Sequence, residues 1–226
     1  MTTEAKNALA GASSSYLRSA MHQPIRWYEW GEEAFATARR ENKPILLDIG
    51  AVWCHWCHVM DRESYENPAI AEAVNREFIA IKVDRDERPD IDSRYQAAVS
   101  AISGQGGWPL TAFLTSDGQP FFGGTYFPPD ERWGRPGFQR VLESIAAAYR
   151  ERRSDVMESA GQVMNVLSHA EQFAGRSTDF SPTILLKITQ SAVRMYDEQH
   201  GGFGTAPKFP HPAVMELLLD RYTRTG

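Results

Sequence analysis

Cys54-His55-Trp56-Cys57-His58 contains the only two cysteines of the chain, separated by two residues. Two thiols at that spacing are the smallest unit able to form, open and exchange a disulfide. They follow an apolar run, Pro44 to Trp53, and precede a segment that can be helical. A sulfur at such a junction faces unpaired backbone N–H groups and the positive end of a helix dipole, which favours the thiolate. Lowering a thiol pKa from about 8.5 to about 7 raises its thiolate fraction at pH 7 from roughly 3% to roughly half, while a Brønsted slope near 0.45 takes back about fivefold. The helix end therefore mainly makes the thiol a better leaving group. Cys54 is the expected attacking nucleophile, and Cys57, one turn further in and more buried, the resolving thiol.

Other chemistries compete for the same five residues. Cys-x-x-Cys-His is also a haem attachment pattern, but that reading needs an export signal and a strand-poor, helical surround, and neither is expected here. Zinc would draw on Cys54, His55, Cys57 and His58, yet four ligands within five residues cannot close on one tetrahedral ion, and no second Cys pair exists. No metal and no cofactor are expected.

Five further positions could serve the dithiol. A protonated His55 would stabilise the Cys54 thiolate, and Trp56 offers apolar surface to a substrate, although ordinary packing at a helix tip would explain Trp56 equally well. His58 reads as a solvated or capping residue. Asp48 lies six residues before Cys54 in a buried strand, where a lone carboxylate is costly and its pKa is raised. It could take the proton of Cys57, or be a structural Asp bonded to a neighbour. Trp108-Pro109 precedes a strand, where proline fits at the start. If that peptide bond is cis, Trp108 could present its backbone to an extended substrate; a trans proline closing a glycine loop is the plainer alternative.

The elements that would hold these residues follow one another along the chain. Residues 1–24 read as an irregular N-terminal arm. Gly31 to Asn42 has acids first and bases last, matching a helix dipole, and Lys43-Pro44 stops it. Ile45 to Ile49 and Phe78 to Asp84 read as buried strands, apolar on both faces as in a parallel sheet covered by helices. The helix opened by Asn67-Pro68 links them as a βαβ unit. Asp90 to Ser103 is helical by its apolar period. Leu110 to Leu114 and Pro120 to Gly124 form a hairpin about Asp117-Gly118, and Phe138 to Arg152 is a long amphipathic helix. This is an α/β sandwich of thioredoxin type. Beyond it, residues 155–172, 183–198 and 212–222 are helical with no strand between them, around the loop Gly201 to Pro210.

With 226 residues, 42% hydrophobic and 23% charged, the chain can bury a sizeable core. A net charge of −5 without a long basic block gives no reason to expect nucleic acid or an anionic membrane as partner. The first twenty residues lack the apolar stretch of a signal peptide, and two cysteines within one motif leave none for structural disulfides. Cytoplasmic residence is the resulting expectation.

These residues resemble a known family. Ile45-Leu46-Leu47-Asp48 with Trp53 to His58 is similar to the thioredoxin superfamily, in which an Asp six positions before the first Cys and a distant cis-Pro complete the site. More narrowly, Trp27 to Phe35, Cys54 to Met60 with Glu63-Ser64, Ile81 to Asp92, Gly106-Gly107-Trp108-Pro109 and Phe122 to Pro129 resemble the YyaL-type, spermatogenesis-associated thioredoxin-like family, over about residues 7–210. The resemblance implies a thioredoxin-like domain, here residues 25–152, followed by an (α/α) toroid similar to six-hairpin glycosidases, of which residues 153–226 would be the start. The arm departs from the family at Ser19 to Arg26.

The expected function is thiol–disulfide exchange by Cys54 and Cys57, with Asp48 assisting proton transfer, His55 tuning, and Trp56, Trp108 and Pro109 contacting substrate. The expected partners are a disulfide-containing protein or small thiol and a separate reductant. The competing class is a binding module that holds a peptide or a larger helical carbohydrate-active domain without redox turnover.

Overall fold

A computed structural model of the chain describes residues 7–132, 134, 136–174, 183–205, 208 and 211–225. Met1 to Lys6 of the arm, and Ala206, Pro207, Phe209 and Pro210 of the glycine-rich loop, lie outside the described residues. The chain divides into two compact units, Met1–Gln172 and Phe173–Gly226.

The first unit is built on a five-stranded sheet of order β1-β3-β2-β4-β5. Its strands are β1 (Trp27–Tyr28), β2 (Ile45–Gly50), β3 (Ile79–Asp84), β4 (Leu110–Leu114) and β5 (Pro120–Gly124). β1 and β2 both run parallel to β3, whereas β4 pairs antiparallel with β2 and with β5. Every residue of β2, β3 and β4 is buried, as their unbroken apolar runs require of strands covered on both faces. The two-residue β1 was not legible in the sequence because it is too short to show an alternation.

Alternate residues sort the two faces. Ile45, Leu47, Ile49, Ile81 and Val83 pack against helices α2 (Glu32–Glu41) and α5 (Pro89–Ser103). Leu46, Ala80 and Phe113 face the opposite layer, made by the arm, α4 (Pro68–Glu77) and α6 (Phe138–Glu151). The helix limits follow local chemistry. Asn67 caps α4 by accepting the N–H groups of Ala69 (2.9 Å) and Ile70 (3.4 Å), with Pro68 at the first turn. Asn42 closes α2 in the left-handed region at φ 50°.

The arm is a correction to the sequence reading. Residues 8–11 form a 3-10 turn and Ser15–Ser19 form helix α1, with Leu9, Tyr16 and Leu17 buried in the main core. Ser14 caps α1 and also donates to Asp84 Oδ2 at 2.6 Å. Asn7 donates to the Ala20 carbonyl at 2.9 Å, and Trp27 Nε1 to Gln23 Oε1 at 2.7 Å. With one short helix among its described residues, the arm offers no periodic stretch long enough to read. Its order comes from tertiary contacts.

Helix α7 (Arg153–Ala174) packs its first turns on this unit through Val156 and Ala160. In the second unit, α8 (Thr183–Arg194) and α9 (Pro212–Thr225) flank a loop in which Tyr196 bridges Phe203 and the Asp197 carboxylate accepts the Gln199 and His200 N–H groups at 2.9 and 3.1 Å. No helix among the described residues is long and apolar enough to cross a membrane.

Candidate functional site

β2 delivers the chain to the dithiol at its carboxyl end. Ala51 ends the buried run, Val52 and Trp53 turn outward, and Cys54 becomes the N-cap of α3 (His55–Met60). Cys54 and Cys57 are joined as a disulfide, and Cys54 Sγ accepts the Cys57 N–H at 3.1 Å. The pair is set just beneath the surface, Cys54 at 6% exposure and Cys57 at 1%. Cys57 is the more buried residue of the two, the order that the sequence predicts. His58 reaches back to the Val52 carbonyl, with 2.7 Å between Nε2 and the oxygen, and so ties the first turn of α3 to the strand exit.

α3 widens directly into a π-helical segment, Asp61–Tyr65, a form that commonly marks functional positions. It turns Asp61 and Tyr65 toward the sheet. There the parallel register makes Asp48 and Lys82 direct neighbours on β2 and β3. Lys82 Nζ donates to Asp48 Oδ2 at 2.7 Å and to Asp61 Oδ1 at 2.9 Å, and its side chain is wholly shut off from water. Tyr16, Trp27 and Tyr65 box the ammonium, with ring centroids 4.8, 5.1 and 5.2 Å from Nζ. Asp48 also accepts the Tyr16 hydroxyl at 3.3 Å and the Tyr65 hydroxyl at 3.2 Å. Gln23 of the arm donates to Asp61 at 2.9 Å. The lone carboxylate expected at 48 is therefore part of a five-residue charge and hydroxyl cluster.

Two carboxylates share one ammonium, and this stoichiometry sets the electrostatics. Burial pushes the Asp48 carboxyl above the usual carboxylate range, because the pull of Lys82 is partly cancelled by the like charge of Asp61. Burial pulls Lys82 down, but Asp48 and Asp61 together outweigh it and hold the ammonium above the ordinary lysine range. The two directions are compatible: the cation has two partners, and each anion has half a partner and a rival. Tyr16 and Tyr65 are raised first by burial and then by Asp48, so both stay neutral phenols.

The rim is aromatic. Trp53 is 55% exposed and Trp56 48%. The Trp56 ring lies 5.1 Å from Tyr126, and Trp53 lies 5.7 Å from Trp108. His55 is exposed, its ring 5.8 Å from that of Trp56. The Trp108–Pro109 peptide bond is cis. α5 anchors this turn: Gln96 accepts the Gly107 N–H at 2.9 Å and donates to the Gly107 carbonyl at 3.1 Å, while Trp108 Nε1 donates to Asp92 at 2.8 Å. The Arg85 guanidinium covers Trp108 at 4.5 Å from the ring centroid and lies 5.6 Å from Trp53, with Asp92 3.5 Å from its Nε.

Of the residues singled out from the sequence, Cys54, Cys57, His55 and Trp56 share one turn. Trp108 joins the rim through Trp53, and Asp48 lies beneath in the buried cluster. Sequence reasoning missed Tyr16, Asp61, Tyr65, Lys82, Arg85, Asp92 and Gln96. Lys82 had a signal: a lysine in a strand buried on both faces demands a counter-charge, and the neighbouring strand carried an unexplained Asp48. Tyr16 had none. Among the described residues no group of three or more His, Cys, Asp or Glu side chains is arranged to hold a metal ion.

Comparison with known proteins agrees with this architecture. Residues 6–168 match the family model described as "Thioredox_DsbH: Protein of unknown function, DUF255". The chain is 43% identical over 219 residues to uncharacterized protein B0495.5 of Caenorhabditis elegans, covering 97% of this chain and 30% of that protein. It is 40% identical over 216 residues to human spermatogenesis-associated protein 20, covering 94% of this chain and 28% of that protein. The chain thus spans less than a third of the length of these relatives. A solved structure named DsbH Oxidoreductase aligns over 56% of this chain and 85% of its own at 16% identity with a TM-score of 0.42, a likeness that carries no argument by itself. The match over residues 6–168, with the 40–43% identical relatives, shows that the chain belongs to the spermatogenesis-associated, thioredoxin-like family covered by that description.

Proposed function

We propose that the chain carries out thiol–disulfide exchange through Cys54 and Cys57. The observation that supports this reading is the Cys54–Cys57 disulfide at the amino end of α3, with Cys54 the more exposed residue of the pair. In the reduced protein the Cys54 thiolate attacks one sulfur of a substrate disulfide, forming a mixed disulfide and releasing the other sulfur as thiolate. Cys57, deprotonated with Asp48 as final acceptor, then attacks Cys54. The internal disulfide forms, the bond to substrate breaks, and the second substrate thiolate leaves with the electron pair. A separate thiol reductant returns the pair to the dithiol. His55 supports the Cys54 thiolate, while Trp56, the Trp108 backbone and Pro109 contact the substrate chain. The reducing cytoplasm suits a chain whose two cysteines both lie in the motif.

The exposed Trp53 and Trp56 favour a second reading, a peptide-holding module whose thiols do not turn over. For the helical remainder we propose the start of an (α/α) toroid, within which any carbohydrate chemistry would need residues beyond these. Insulin reduction coupled to dithiothreitol separates the first two readings. Exchange requires the wild-type protein to accelerate reduction and Cys54→Ser to fall to background. Equal rates for the two proteins reject exchange and leave the holding module.

A further inference from the structure

The arm places a hydroxyl where the proposed resolving step needs a proton path. A Cβ at Gly50 would fall 2.2 Å from Tyr16 Oη and 2.8 Å from Cys57 Sγ, so hydroxyl and sulfur are at most about 5 Å apart. The same hydroxyl donates to Asp48 Oδ2 at 3.3 Å. Any side chain at position 50 would press on both the hydroxyl and the sulfur, so glycine there lets the two groups share this space. Tyr16 has no exposure, and the Ser14–Asp84 bond at 2.6 Å fixes the start of its helix.

Building on the exchange reading, we infer that Tyr16 is the proton relay between Cys57 and Asp48, so that the amino-terminal arm is part of the exchange machinery. When Cys57 attacks the mixed disulfide, its S–H proton passes to the Tyr16 oxygen as the Tyr16 O–H proton passes to Asp48. The tyrosine remains a neutral phenol throughout, Cys57 becomes the thiolate that forms the new S–S bond, and Asp48 ends as the neutral acid. The cluster is suited to this load. Asp48, Asp61 and Lys82 sum to one excess negative charge, and the arriving proton brings them to neutrality while Asp61 keeps Lys82 paired. The other groups facing Tyr16 do not compete for the role. Asp84 is held by Ser14, Tyr65 bonds the far oxygen of Asp48, and His58 meets Tyr16 only edge-on, 6.3 Å between ring centroids.

The test follows both thiolates released when the reduced protein meets the aromatic disulfide 5,5′-dithiobis(2-nitrobenzoate). The first release reports attack by Cys54 and the second reports resolution by Cys57. For Tyr16→Phe the expected result is an unchanged first phase and a second phase slowed about 10- to 100-fold at neutral pH and below. The deficit of the second phase should narrow steadily as pH is raised, because hydroxide-driven ionisation of the Cys57 thiol then replaces the relay. Gly50→Ala, which wedges a methyl between hydroxyl and sulfur, should lose the same limb with the tyrosine still present. A wild-type protein that releases no second thiolate defeats the exchange reading. Normal wild-type resolution, with a Tyr16→Phe profile that superimposes on it or is slowed equally at every pH, defeats the relay alone.

Discussion

Lys82 and Asp48 are register partners on neighbouring parallel strands, and their side chains meet 2.7 Å apart without access to water. Burial of a single pair is a doubtful source of stability, because desolvation offsets attraction. Here Asp61 adds a second carboxylate, and Tyr16, Trp27, Tyr65 and Gln23 surround the three charges. Through the Tyr16 hydroxyl the cluster comes within about 5 Å of the Cys57 sulfur.

Removing the ammonium should be costly and should respond to acid. Lys82→Met leaves Asp48 and Asp61 facing each other in the interior, and stability at pH 7 should drop by about 3–5 kcal/mol. Part of that loss should return near pH 5, as one carboxyl takes up a proton. Urea unfolding at the two pH values checks this; a loss under about 1 kcal/mol, or one that does not change with pH, contradicts the account of a shared cation.

The Asp48 carboxyl, raised by burial, imposes a pH slope of defined sign. The folded protein holds this proton more tightly than the unfolded chain. The contribution is therefore fully present below the unfolded pKa of about 3.9 and is lost as pH rises through the raised folded value. Asp48→Asn removes that decline, so the stability of the variant relative to wild type should increase as pH is raised from about 4 toward neutrality. Thermal melts across that interval suffice, and a difference that stays flat or runs the other way would count against a raised Asp48.

Leu9 provides a test of the arm that does not involve the chemistry. Its side chain is fully buried in the main core, so Leu9→Ala should destabilise the first unit by about 2–5 kcal/mol. An appendage packed loosely outside the domain would register under about 0.5 kcal/mol, and denaturant midpoints distinguish the two.

The cysteine pair was legible in the sequence because it is local. Two cysteines with two residues between them, after an apolar run and before helix-forming residues, determine a dithiol at a strand-to-helix junction whatever the rest of the chain does. The unbroken apolar composition of Ile45 to Ile49 and Phe78 to Asp84 likewise determined two strands buried on both faces, and Asn67-Pro68 and Asp117-Gly118 announced their own turns. What tertiary structure alone decided is which distant groups gather around Asp48. Strand register made Asp48 and Lys82 neighbours, a π-helical turn aimed Asp61 and Tyr65 at them, and the fold brought Tyr16 from the arm to within reach of Cys57. None of these meetings leaves a periodic trace, since register and the path of a short arm are settled by packing across the sheet rather than by any property of adjacent residues.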